Sequence, residues 1–272
     1  MINGKALVHR LRTGPLSRLL ARLAHVRPTE SAFILAAHLF LSVFPLLIII
    51  SVIAPEAARG VAAVMRQRLG LTGASASTMR DLVHSSPGDH GAITIIGALM
   101  ALVSATSFTR ALQRLYERSW QVPALGLKGS WRGAIWLVGF LAYLEIIVLS
   151  GRLTQGSPLQ GIGTLVWLAL LWWWTPYLLL GGRVRWRSLV PTAVLSAVAL
   201  AVLGLVSARY MPYALTTNER KYGTLGVVFA LESWLAVVCG ALVFSAVLGA
   251  HAAQSRGPLS RWWRGSSDTW ER

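Results

Sequence analysis

The chain has 272 residues, of which 54% are hydrophobic and 13% charged, yet its formal net charge is +16. A soluble domain is about a quarter charged. The mean hydropathy of +0.56 therefore excludes a basic soluble nucleic-acid binder and a disordered basic tail alike, and leaves an all-α polytopic membrane protein whose charge lies outside the bilayer.

Residues 1–31 form a cytoplasmic amphipathic segment with six basic side chains. Pro15 opens a helix that places Leu16, Leu19, Leu20 and Leu23 on one face and Arg18 and Arg22 elsewhere on the wheel. Two readings stand. In one, a surface helix has Arg18 and Arg22 in contact with an anionic leaflet. In the other, the helix packs on the cytoplasmic ends of the bundle. The apolar run that follows is too long for a secretory signal and is read as a retained helix.

A spanning helix takes about 20 mostly apolar residues. Six stretches qualify, 32–54, 92–112, 131–151, 162–182, 189–209 and 223–249, and predict one transmembrane domain over 32–250 supplemented by short amphipathic helices. In the first, Pro45 removes an intrahelical hydrogen bond and kinks the helix, and Ser42 is placed to satisfy a freed backbone group. His38, in the same span, is read as neutral and bonded to a backbone carbonyl. The one long connection, 55–91, is expected on the outer side, with Val61, Val64, Met65 and Leu69 at helical spacing. The fourth and fifth spans are joined by a tight basic hairpin holding Arg183, Arg185 and Arg187. Gly97 with Ala101, and Ala236 with Gly240, are spaced for close helix packing. The Gly223–Gly226 pair reads as a turn or helix start. The tail, 251–272, is basic and holds Trp262 and Trp263, which suit headgroup depth.

Counting Lys and Arg near the span ends puts 18 of the 26 basic residues on one side. The positive-inside rule then places both termini in the cytoplasm of a multi-pass cell-membrane protein. The sole cysteine, Cys239, permits no intrachain disulfide. Ionisable groups inside spans cost about 2.5–3.5 kcal/mol on insertion scales, which makes each a candidate for function. The candidates for an intramembrane polar site are Glu145, Glu232, Arg209 and His38. Glu145, Glu232 and Arg209 all fall in the outer half or at the outer ends of spans, so an outward-facing cluster of those three is sterically open, whereas His38 lies toward the inner side. Mutual satisfaction that merely fixes packing is the alternative.

Several segments together resemble the YihY/virulence factor BrkB family of bacterial inner-membrane proteins, once mislabelled ribonuclease BN. The resemblance covers approximately 16–252. It is carried by Ala36 to Leu46 with its Ser42-Val43-Phe44-Pro45-Leu46, by Ala111-Leu112-Gln113 with Tyr116, and by Pro191-Thr192-Ala193. It continues through Tyr210, Tyr222-Gly223-Thr224-Leu225-Gly226 and Trp234 to Gly249-Ala250-His251. Gln113, Thr192 and His251 stand where the family has Asn, Gly and an acid. The resemblance implies a six-span helical inner-membrane protein and no settled activity.

No phosphate loop, nucleophile elbow or dinucleotide fingerprint is present. His84, Asp89 and His90 form a small group but sit in the outer loop, away from RNA, which makes ribonuclease the weakest reading. The leading expectation is a non-enzymatic transporter or lipid-handling protein, with a membrane scaffold or envelope-organisation factor as the alternative. The expected partners are the phospholipid bilayer and its anionic cytoplasmic leaflet; no nucleic acid, cofactor, metal or catalytic residue is expected.

Overall fold

The computed structural model describes residues 15–53, 91–153 and 159–255, and among them every regular element is helical. The helices are α1 (Pro15–Val26), α2 (Pro28–Ile53), α3 (Gly91–Trp120), α4 (Ser130–Leu153), α5 (Leu159–Leu179) and α6 (Val190–Gln254), with short 3-10 turns at Gly126–Gly129 and Trp186–Leu189. The stretch 54–90 with His84, Asp89 and His90, and the tail with Trp262 and Trp263, lie outside the described residues, as do the side chains of Arg18 and Pro45. Among the described residues three helices are long and apolar enough to cross a membrane: Ile162–Leu179, Trp186–Gly223 and Leu225–Gln254.

The six apolar stretches lie on α2 to α6, but two ends differ from expectation. The fourth stretch stops being helical at Leu179 rather than 182. The fifth runs on past 209 through Pro212 to Gly223, so Arg209, Arg220 and Lys221 lie on helix, not loop. Pro212 has no N–H to give to the Ala208 carbonyl, and the helix nonetheless continues through it; in the turn that follows, Thr216 Oγ1 donates to the Pro212 carbonyl at 2.8 Å. The break waits for Gly223, at φ 61° and ψ −145°, a backbone state open essentially to glycine alone.

Gly223 divides α6 into two arms, α6a before it and α6b after it, which fold back on one another. A Cβ on Gly226 would lie 2.2 Å from the Asn218 carbonyl oxygen, and one on Gly249 would lie 2.5 Å from Thr192 Cα. Contacts at both ends of the arms define an antiparallel helical hairpin. Met211 and Leu215 of α6a pack on Val227 near the turn. Towards the far end Leu189 joins Leu242, Val243, Ala246, Val247 and Ala250 in the main core.

That core is completed by Leu35 and Ala36 of α2, Leu112, Leu115 and Tyr116 of α3, and Trp136 of α4. Gly240 sits 3.9 Å from Ala32 Cβ by its own virtual Cβ, which lets α2 approach α6b closely. Between α4 and α5, Trp136 Nε1 donates to Thr175 Oγ1 at 3.0 Å, and Thr175 in turn donates to the Leu171 carbonyl. Gly139 makes room for Trp174, whose ring would lie 2.2 Å from a Cβ there.

The outward faces are apolar. Val138, Leu149, Ile162, Val166, Val202 and Leu205 are among the exposed large side chains. In water this surface would be strongly unfavourable; against acyl chains it costs nothing. Exposed Trp and Tyr side chains gather at two levels: Trp131, Tyr177 and Trp186 at one end, Tyr210, Tyr213 and Tyr222 at the other. Trp186 and Tyr210 are about 36 Å apart along the helix, close to the roughly 30 Å hydrocarbon thickness plus its interfaces.

Candidate functional site

The functional features gather at the end of the bundle where α1, the last turns of α3, the α5–α6 hairpin and the end of α6b meet. Arginines crowd this end: Arg22, Arg27, Arg110, Arg114, Arg118, Arg132, Arg183, Arg185 and Arg187. Its corners are built by left-handed residues. Arg27, at φ 48°, turns α1 into α2, because the following Pro28 disfavours helical geometry before it. Gln121 closes α3 and Gly181 closes α5 with the same capping pattern. Val122 N–H donates to the Glu117 carbonyl and Gln121 N–H to Arg118; Gly182 N–H donates to Tyr177 and Gly181 N–H to Leu178.

At the centre of this end is Glu117, a side chain only 6% exposed. Its Oε1 accepts from Gln113 Nε2 at 2.9 Å, from the Leu125 N–H at 2.9 Å and from Arg183 Nη2 at 3.2 Å. Arg183 also donates to the Leu180 carbonyl at 2.7 Å and to the Pro123 carbonyl. One carboxylate thus binds α3, the 121–125 connection and the α5–α6 hairpin together. Sequence reasoning missed Glu117 because it lies beyond the second apolar stretch. The Gln113–Glu117 spacing of four, with a lone acid among Arg110, Arg114 and Arg118, is the signal that marks it.

Two concavities flank this node. The first, about 550 Å³, is lined by Leu170, Trp173, Trp174 and Tyr177 of α5 and by Trp186. Trp173 Nε1 donates to the Trp186 carbonyl at 2.8 Å, and the two rings stack with centroids 5.3 Å apart. The Arg187 guanidinium lies 5.6 Å from the Trp186 ring centroid. The second, about 580 Å³, lies between His25 of α1 and Arg114, Glu117 and Arg118 of α3, with Gln121 to Ala124 on its rim.

The residues singled out in the sequence are placed as follows. His38 Nδ1 donates to the Ile34 carbonyl at 2.6 Å, and Ser42 Oγ donates to the His38 carbonyl at 2.6 Å. Helical backbone continues through Pro45. Arg22 is half-buried and donates to Gln254 Oε1 at the end of α6b; burial holds its pKa below the ordinary guanidinium value. Leu19 and Leu23 pack on the core while Leu20 stays exposed, so α1 caps the bundle end.

Glu145 is half-buried beside the exposed stripe of Ile135, Val138, Ala142, Ile146 and Leu149 on α4. Glu232 is half-buried on α6b, with one buried carboxylate oxygen lacking a hydrogen-bond partner among the described residues. Arg209 is exposed on α6a. Helix α4 packs on α3 and α5, whereas α6 packs on α1, α2, α3 and α5. No hydrogen bond or ion pair joins Glu145, Glu232 and Arg209 among the described residues.

A family model described as virulence factor BrkB matches residues 19–266. No curated protein and no solved structure matches the chain.

Proposed function

The chain belongs to the virulence factor BrkB family, and from that premise we propose that it is a six-span cell-membrane protein, both termini cytoplasmic, that handles anionic phospholipid at the inner leaflet. The observation that carries this reading is the groove of Leu170, Trp173, Trp174, Tyr177 and Trp186 beneath Arg187. Its wall is aromatic and aliphatic, which suits an acyl chain. Arg187, over the Trp186 ring, suits a phosphodiester. Trp186 is 52% exposed and its depth matches an interfacial collar.

The Lys and Arg count supports the orientation, since the arginine-rich end carries most of the charge. The work envisaged is binding and translocation without bond chemistry. A transporter using Glu145 and Glu232 as one site is less favoured, because the two acids lie on helices without an extensive mutual contact among the described residues.

The test is leaflet exchange of fluorescent phosphatidylglycerol and phosphatidylcholine in proteoliposomes. Exchange faster than in protein-free vesicles, preferring the anionic lipid and reduced in a Trp173→Ala/Trp186→Ala variant, is the expected result. No acceleration for either lipid removes the reading and leaves the scaffold alternative.

A further inference from the structure

We propose that the second cleft, between the end of α1 and the last turns of α3, binds a phosphoryl anion through Arg114, Arg118, His25 and Gln121. The groove under Trp186 is a separate feature with no lining residue in common.

The charge balance at this end is the first argument. Of the acids described there, Glu30 is paired with Arg27 at 3.2 Å. Glu117, which forms part of the cleft wall, has three donors on one oxygen: Gln113 Nε2, Leu125 N–H and Arg183 Nη2. Its single charge is balanced by Arg183 at 3.2 Å, so Arg114 and Arg118 leave the cleft net positive. Among the described residues no hydrogen bond or ion pair engages Arg114, Arg118 or His25. The cleft therefore presents unanswered positive charge.

Geometry is the second. Arg114 and Arg118 are four residues apart on one helix, and side chains at that spacing are neighbours. Both point at the same 580 Å³ space. The helix dipole favours a cation in the final turn, which accounts for the sign of Arg118 but not for the convergence of both arginines on a cleft that a second helix also lines. Two guanidinium forks facing one volume match the oxygens of a phosphate. The volume takes a phosphoryl group together with the organic group that bears it.

The third argument is Gln121. It holds φ 53° at the capping position of α3, where the equivalent position after α5 is Gly181. Glycine is the residue that such a cap favours. Gln121 keeps a carboxamide donor on the cleft rim at a conformational cost that a purely structural cap avoids.

The same phosphoryl chemistry arises from a soluble phosphate ester or from a lipid headgroup. The experiment distinguishes them, using the full chain in phosphatidylcholine nanodiscs. Inorganic phosphate and glycerol phosphate are titrated by phosphorus NMR line broadening. Nanodiscs doped with phosphatidic acid are examined in parallel for lipid retention by native mass spectrometry, in a Trp173→Ala/Trp186→Ala background that removes the other groove as a lipid site. Saturable binding of the free anions, weakened roughly tenfold or more in Arg114→Gln/Arg118→Gln as charge-assisted bonds are lost, assigns a soluble ligand. Selective retention of phosphatidic acid alone, lost in the same variant, assigns a headgroup.

Binding of neither probe, or binding that the double variant retains, overturns the proposal. Gln121→Gly separates folding from binding: it is expected to melt higher and bind more weakly. A Gln121→Gly protein that binds as tightly as wild type overturns the role given to that side chain. Arg209→Gln, at the opposite end, is expected to leave phosphate binding unchanged.

Discussion

Single side chains decide how closely these helices approach. At Gly249 a Cβ would lie 2.2 Å from Thr192 Oγ1, 2.5 Å from its Cα and 2.7 Å from its N. Two of those atoms are backbone, so no rotamer change relieves the clash. Gly249→Ala is expected to destabilise by about 1–3 kcal/mol, in the range of overpacked cores, measured by thermal or SDS unfolding in detergent. Adding Thr192→Gly should restore only part of the loss, because it removes the hydroxyl and leaves the backbone contacts. Burial also ranks the two ion pairs at the arginine-rich end. Arg27 and Glu30 are 73% and 53% exposed, and Arg27→Gln should cost at most about 0.5 kcal/mol. Glu117 serves three donors and faces a guanidinium that is itself three-quarters hidden. Glu117→Gln should cost about 2 kcal/mol, since it leaves a largely desolvated Arg183 uncompensated. The same unfolding assay compares the two, and equal effects would remove Glu117 as the keystone of that end.

At the scale of the helices, Gly223 shows a backbone requirement separated from packing. Nothing lies within 4 Å of a Cβ built there, yet its φ is 61° with ψ −145°. Gly223→Ala is therefore expected to lose about 1–3 kcal/mol through conformation alone. Gly204 is the matched control: its Cβ position is equally open but its backbone is helical. Gly204→Ala should gain up to about 1 kcal/mol. Melting temperatures of the two variants moving in the same direction would refute the distinction. This contrast also marks what was legible in the sequence. Apolar period and length reveal the helices, because membrane insertion is governed by mean composition over about 20 residues. The continuation of α6a through Tyr210 and Pro212 to Gly223 was hidden, since Arg209 and Pro212 read as the end of an apolar span while the helix carries on past both. The α1 leucines were visible as a face, but not what that face covers; Leu19 and Leu23 on the core and Arg22 on Gln254 are long-range contacts. Glu117 was marked only by its spacing from Gln113, because its partner Arg183 is 66 residues away, and the arginine cleft was hidden because it joins His25 to the end of α3.

For the whole molecule, the net charge of +16 and the apolar surface describe one object with two unlike ends. Glu117, Arg183, Arg22 and Gln254 knit the arginine-rich end into a packed cap, and most of the buried core lies beneath it. Among the described residues, the Gly223 end carries a hairpin turn with a smaller cluster of Met211, Leu215 and Val227. An anionic leaflet attracts basic side chains at about 1 kcal/mol each near its surface, so the two ends are energetically inequivalent in a real membrane. The orientation proposed above follows and can be tested directly. Cys239 is fully buried and the only cysteine, so a Cys239→Ala background adds no reactive thiol of its own. In that background Lys221→Cys, at the Gly223 end, should react with a membrane-impermeant maleimide in right-side-out vesicles. Arg185→Cys, in the basic hairpin, should react only after the vesicles are opened. The reverse pattern would place the aromatic groove and the arginine cleft on the outer face, where cytoplasmic anionic lipid is absent, and both would then need an extracytoplasmic ligand. Labelling of both residues in closed vesicles would mean mixed insertion, contrary to a charge asymmetry of 18 among 26 basic residues.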